Sequence, residues 1–445
     1  MTITLNAVYA DLPDPLQRAY RHLALLPGPM FSAAAAAAAL AADDTAIDSF
    51  LARLSDVNLV QFGPELDQWR MPEPAAAHAR ALSEVGDSAG ERAAVLARAV
   101  HHYLMWAARL DTVIAPGRRR YAAVFAWHPE LPPAAADDQA AITMMQPWVP
   151  VLLAAQAAAA DAGLHALAWQ FAEALWGYVL RRQDYAAGQQ VCATALDSAY
   201  RCADLVAQAR AHMLAGALAR RQGHLPEAMD HHDQAGELFE RSGDTLGSAA
   251  AAEHLGATLL ALSQPSEAVT VLQSGLDLYR AAPPHPRGQA LLRRQLAIAL
   301  ARLGHHTQAY THFDAAEGVF TDLGEPYLIA RLALDLAEAA IARSDLDQAL
   351  EHLGKAARVL PDRSSADDAH LHYLYAKVHR QAGHTDAADR ALTIALDYRG
   401  HLPDDHPTAL LVDTMASGSR RTAASPAPST TPAPEPGPDD RPTTS

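Results

Sequence analysis

The apolar positions along this chain follow helical spacing almost throughout, and between Leu164 and Gly400 they also follow a longer period. A small residue recurs every 39 to 41 residues, at Gly188, Ala228, Ala268, Ala309, Ala349 and Ala388. Twelve residues before each stands Trp176, Gly216, Gly256, Ala297, Ala337 or Ala376, and seven after it Ala195, Ala235, Gly275, Ala316, Ala356 or Ala395. Small residues at fixed phases let two helices approach closely, while larger apolar residues between them fill the gap. A lone hairpin of this kind would expose its apolar face, so the period predicts six stacked units over 163–402, a mainly α solenoid. Turn residues separate the two helices of each unit: Gly223-His224-Leu225, Gly304-His305-His306 and Gly383-His384-Thr385 in three of them. The others carry Gln183-Asp184-Tyr185, Gln264-Pro265-Ser266 and Ser344-Asp345-Leu346.

These phases resemble the tetratricopeptide repeat, a helix pair with small residues at its eighth, twentieth and twenty-seventh positions. That repeat is about 34 residues long. The surplus here falls in longer helices and in joints such as Arg241-Ser242-Gly243-Asp244 and Asp322-Leu323-Gly324-Glu325. Trp176 departs from the small-residue rule and marks the first unit as an atypical, capping one.

A different pattern precedes the repeats. Leu12, Leu16, Tyr20, Leu23 and Leu26 lie on one helical face that ends at Pro27-Gly28-Pro29. A second helix is expected over Ser32–Ala42 and a third from Thr45 to Ser55, followed by strands at Leu59–Phe62 and Gln68–Met71 around Gly63-Pro64-Glu65. Three helices and a hairpin over 1–89 have the order of a winged helix, which raises a DNA-binding transcriptional regulator as the alternative function. Charge argues against it: residues 1–90 hold five Arg and no Lys against eleven Asp or Glu. Duplex binding needs Lys and Arg to displace phosphate counterions. The whole chain carries a formal charge of −16, which also disfavours anionic membranes. Residues 90–162 read as a helical connector, and the Pro, Ser and Thr-rich stretch over 415–445 as a disordered tail with little to bury.

The stretch Tyr20-Arg21-His22-Leu23-Ala24-Leu25-Leu26-Pro27-Gly28-Pro29, with Asp56-Val57-Asn58-Leu59-Val60 and the helix containing Ala94–Leu104, resembles the winged helix of STAND regulators. These are signal-transduction ATPases related to the actinobacterial antibiotic regulatory proteins, and the resemblance spans residues 9 to about 400. It implies a sensor-like half that relays ligand occupancy in the repeats to the winged helix. The family's nucleotide module is not matched: the chain has no Gly-x-x-x-x-Gly-Lys-Ser/Thr loop to cradle phosphates. Where the family carries a Met-His-Asp-like nucleotide sensor, this sequence reads Met71-Pro72-Glu73. No cofactor and no enzymatic activity are therefore expected, and a separately encoded STAND or regulatory protein is the implied counterpart.

Twenty-two His residues occur, several of them in turns, without the His-Glu-x-x-His spacing of a metal helix. Cys192 and Cys202, ten residues apart on one helix, are expected to be reduced thiols. With no secretory signal pattern and no long apolar run, a cytoplasmic location is expected.

Placing the units in tetratricopeptide register puts Arg181, Arg210, Arg220, Arg221, Arg294, Arg302, Arg331, Lys377 and Arg380 on the concave wall, beside Glu173, Glu253 and Glu338. Guanidinium forks suit carboxylate and phosphate groups. The expected function is a non-enzymatic regulatory or scaffold module that takes a protein or an acidic peptide segment in this groove. The opposing expectation is that each Arg is consumed by an acid on a neighbouring helix.

Overall fold

The computed structural model describes residues 2–63, 67–127, 134–360, 365–402, 404 and 406–423. The N-terminal unit comprises α1 (Thr2–Ala10), α2 (Asp14–Leu23), α3 (Ala33–Leu40), α4 (Asp44–Asp56), a two-stranded antiparallel hairpin of β1 (Gln61–Phe62) and β2 (Trp69–Arg70), and α5 (Glu73–Gly86). Ser32 and Asp43 cap α3 and α4 by accepting from Ala35 and Ala46 N–H, each such cap contributing about 1 kcal/mol. The strands are shorter than the sequence suggests. Leu59 and Val60 both donate N–H to the Leu54 carbonyl, so they close the end of α4 and are buried rather than paired. Residues 64–66 of the expected turn lie outside the described residues.

The connector opens with α6 (Ala89–Ile114), started by a full capping box between Ser88 and Glu91. It is not helical throughout. Pro116-Gly117 follows α6, and residues 118–122 run without helix before a short 3-10 turn at Ala123–Ala126. Helices α7 (Asp138–Met145), α8 (Val149–Asp161) and α9 (His165–Ala168) lead into the repeats.

Six helix hairpins then stack as a tetratricopeptide-repeat-like superhelix. They are α10 (Gln170–Arg182) with α11 (Tyr185–Arg201), α12 (Leu205–Arg221) with α13 (Leu225–Ser242), and α14 (Thr245–Ala261) with α15 (Pro265–Ala281). They continue with α16 (Pro286–Arg302) and α17 (His306–Asp322), α18 (Pro326–Ala342) and α19 (Leu346–Ala357), and α20 (Ser365–Gln381) and α21 (Thr385–Arg399). Every residue at the three small-residue phases is buried, Trp176 included. Phe239, Phe313 and Phe320 fill the space between them without exposure, each contributing about 1.5–3 kcal/mol on burial. Each hairpin turns on one residue with left-handed backbone: Gln183, Gly223, Ser263, Gly304, Ser344 and Gly383. In the third unit the turn therefore sits at Ser263, one residue before the Gln264-Pro265-Ser266 expected from sequence.

One continuous apolar core runs from Leu16 in α2 through α6 to Leu218 in α12. A further helix, α22 (Pro407–Ala423), extends past residue 415 because Ala409, Val412 and Ala416 bury against the last hairpin. The rest of the expected tail, 424–445, lies outside the described residues. The superhelix also curls back on itself. The Arg181 guanidinium stacks on the Tyr327 ring at 4.2 Å, and the Tyr185 ring stacks on His406. The first unit thus meets the fifth and the approach to α22, which turns the groove into a bounded interior.

Candidate binding site inside the superhelix

The first helices of the hairpins face inward and enclose a cavity of about 1300 Å³. Of the nine basic residues expected on the concave wall, seven line it: Arg181, Arg210, Arg220, Arg221, Arg294, Arg302 and Arg331. Lys377 and Arg380 do not. They lie on the sixth unit, where Arg380 approaches Asp389 at 3.9 Å and Lys377 lies near Glu338. Of the three acids, Glu253 lines the cavity, Glu173 lies buried beneath its wall, and Glu338 accepts from His370 Nε2 at 2.8 Å.

Much of the wall is neutralised. Glu173 Oε1 accepts from Arg210 Nε at 2.9 Å, Asp367 Oδ1 from Arg331 Nη1 at 2.7 Å, and Asp335 Oδ2 from Arg294 Nε. Arg181 lies 3.5 Å from Asp138, and Arg302 donates to the Leu260 carbonyl at the end of α14. Asp335, Asp367 and Asp138 were not among the expected acids. They sit on the neighbouring helix or the connector, and that placement depends on how the units pack.

Arg220 and Arg221 differ from the rest. They end α12, where the helix dipole favours cations, yet neither forms an ion pair or hydrogen bond among the described residues. Burial lowers Arg220 to about 10, and the like charges of Arg221, Arg331 and Arg294 act in the same direction against Glu253. Burial likewise raises the Glu253 carboxyl, opposed by Arg220, Arg294 and Arg287. His254 is held down to about 3, by burial first and then by Arg220, Arg210 and Arg221. The cavity lining as a whole carries more guanidinium than carboxylate groups.

One part of the site went unseen in the sequence. The segment 115–127 lies as a strap against the inner wall of the first three units. Its Tyr121 and Ala122 N–H groups donate to Glu173 Oε2 at 2.9 and 2.7 Å, and Val124 N–H donates to Gln170 Oε1 at 2.9 Å. Arg119 Nη2 binds both oxygens of Asp244, the residue that caps α14, at 2.9 and 2.8 Å. The Tyr121 ring packs on Phe239. Arg118 and Arg120 both reach the fully buried Asp111 of α6, at 2.7 and 3.1 Å, and Asp111 Oδ1 in turn accepts Gly177 N–H of α10. Burial alone would raise the Glu173 carboxyl. Arg210, Arg118 and the two strap N–H groups bring it below the ordinary carboxylate range instead. The available signal was the chain's only run of three basic residues, Arg118-Arg119-Arg120, directly after Pro116-Gly117.

Among the described residues no group of three or more His, Cys, Asp or Glu could hold a metal ion, and no helix is long and apolar enough to cross a membrane. No protein-family model and no curated protein matches the sequence. Solved structures are similar in architecture. A Rap protein complexed with Competence and Sporulation Factor matches at 12% identity and a TM-score of 0.48, covering 74% of this chain and 95% of that one. A Pyrococcus horikoshii signal transduction ATPase with numerous domains (STAND) and a tetratricopeptide repeat sensor matches at 11% identity and a TM-score of 0.45, over 95% of this chain and 66% of that one. BtubC from P. vanneervenii matches at 14% identity and a TM-score of 0.39, over 58% and 98%. These likenesses concern the helical-repeat architecture and bear on no partner or activity.

Proposed function

We propose that this chain is a non-enzymatic regulatory module that binds an acidic peptide, or an acidic segment of a protein, inside its superhelix. The carrying observation is the interior wall itself: eleven arginines against five Asp or Glu on one cavity of about 1300 Å³, in a chain whose overall charge is −16. Opposite charge inside and outside favours an acidic segment within while the outer surface repels acidic competitors. The strap illustrates how the wall holds extended backbone, through carboxylates for N–H groups and an apolar seat for an aromatic ring.

In the same reading, residues 1–89 form a winged-helix-like output unit, related to that of STAND regulators, and α6 relays occupancy to it. Asp111 ties α6 to the strap and to the first unit. At the other end of α6, Arg98 donates twice to the Ala39 carbonyl of α3. A change in how the interior is filled therefore has a packed route to the N-terminal unit. A separately encoded regulatory protein fits as the partner that receives it.

The test is an array of nine-residue peptides of varied charge, probed with the full chain at low and high salt. Bound peptides should be rich in Asp and Glu, and their affinity should fall as salt screens the wall. Arg221→Glu, at a residue with no ion pair to break, should weaken them about tenfold or more, which corresponds to about 1.4 kcal/mol. Binding with no charge preference, unchanged by salt and by Arg221→Glu, would sink the proposal.

A further inference from the structure

The cations of the cavity are unequally matched. Arg181, Arg210, Arg294 and Arg331 each have an acid, Arg287 pairs with Glu325 at 2.6 Å, and Arg302 has a carbonyl. Among the described residues Arg220 and Arg221, consecutive at the end of α12, have neither, and Arg220 Nε is buried without a hydrogen-bond partner. A guanidinium does not shed its proton to escape such a position. Leaving it enclosed and unmatched therefore costs free energy that a counter-anion would recover.

We propose that Arg220 and Arg221 form an anion subsite within the cavity, for a doubly charged group of the phosphate-monoester type carried by the ligand. The inference rests on the interior being the binding site. Two unit charges on one cavity wall, without an ion pair among the described residues, call for a dianion, because a single carboxylate neutralises only one. Guanidinium forks and a tetrahedral phosphate also share bidentate geometry. Glu253, which lines the same cavity and whose charge acts on Arg220, has a carboxyl that burial already raises, so an arriving anion drives it further toward its neutral, proton-donating form. His254 is held neutral mainly by burial, and by the neighbouring guanidiniums after that, and can accept or donate one hydrogen bond without adding charge.

Inorganic phosphate and acetate at matched ionic strength serve as probes, against a sodium chloride reference. Thermal midpoints of the full chain are measured for wild type, Arg220→Gln and Arg221→Gln. Arg201→Gln, which removes a surface pair with Asp197, is the control. The general stabilisation by phosphate as an excluded salt is common to all four proteins. Wild type and Arg201→Gln should gain several degrees more in phosphate than in acetate. In the two site variants this excess should vanish, and phosphate affinity by calorimetry should fall at least tenfold. In chloride, Arg220→Gln should melt no lower than wild type, since it removes an unmatched charge.

Equal phosphate increments in all four proteins would overturn the subsite. So would a lower midpoint of Arg220→Gln in chloride, which would make Arg220 a structural residue. Peptide capture that survives Arg220→Gln and added phosphate removes the subsite but leaves interior binding standing. A retained phosphate increment with no peptide captured supports the subsite and refutes the peptide reading.

Discussion

Gly256 offers a quantitative test of the repeat register, because one substitution carries two opposed effects that a second glycine separates. Gly256 lies within α14 at the first small-residue phase, and a Cβ there would stand 2.5 Å from both Cγ and Cδ2 of Leu272 and 3.0 Å from its Cδ1. Leu272 is itself fully buried on the partner helix α15, so it has no free volume to retreat into. Gly318 lies within α17 on an exposed face, where a Cβ meets nothing within 4 Å. Replacing glycine by alanine in a helix interior gains about 0.8–1 kcal/mol at either site. Overpacking a filled core costs about 1–3 kcal/mol. The propensity gain cancels in the comparison, so Gly256→Ala should be about 1–3 kcal/mol less stable than Gly318→Ala, and Gly318→Ala more stable than wild type. Urea denaturation followed by circular dichroism reads the difference in midpoints. A solenoid can unfold in stages, so the transition that includes α14 and α15 is the one compared. If Gly256→Ala were as stable as Gly318→Ala, the two helices would not meet at this phase and the register would be wrong.

Two further outcomes follow from the same structure. His212, His232 and His254 are held at about 4, 2 and 3, mainly by burial. The unfolded chain therefore binds the extra protons: stability is complete above about pH 7 and drains as pH falls through about 6.5, by about 2–4 kcal/mol between pH 7.5 and 5.5 for the group. Denaturation midpoints at the two pH values check this, and a midpoint that stays level or rises on acidification contradicts it. Ser344 turns the fifth hairpin with φ of 61°, a conformation that strains a side-chain-bearing residue, so Ser344→Gly should stabilise by up to about 1 kcal/mol. A lower thermal midpoint for Ser344→Gly would show that the turn is unstrained.

The repeat region was readable because its information is local and recurrent. A small residue at Ala268 or Ala309 has one structural meaning, close helix approach, and six copies averaged out the irregular turns. The concave arginines were readable for the same reason, since register alone places Arg220 or Arg331 on the inner wall. Their partners were not. Asp335 neutralises Arg294 across 41 residues and Asp367 neutralises Arg331 across 36, and such pairings depend on unit-to-unit rotation, which no single period encodes. Lys377 and Arg380 show the limit from the other side, since they keep the register but lie toward the C-terminal end of α20, whose N-terminal Ala366, Asp367 and His370 are the residues that line the cavity. The hairpin strands were overextended because alternation at Leu59 and Val60 is equally met by residues closing a helix end.

The strap changes what an arginine-rich groove means in this chain. Sequence register treats the concave wall as uniform from the first unit to the sixth, yet two acids of the first three units, Glu173 and Asp244, are already engaged by the strap. Glu173 holds two strap N–H groups, Asp244 holds Arg119, and Phe239 seats Tyr121. The chain thus supplies its own basic, extended segment to the acidic end of the interior, and what stays unmatched is cationic. Arg220 and Arg221 stand at the end of α12, with Glu253 and His254 of α14 on the same cavity wall. The selectivity of the site for an acidic ligand is therefore a property of the strap and the repeats together. Without the strap Glu173 would keep Arg210 but lose both strap N–H groups, and Asp244 would lose the Arg119 guanidinium, so the interior would present both signs of charge.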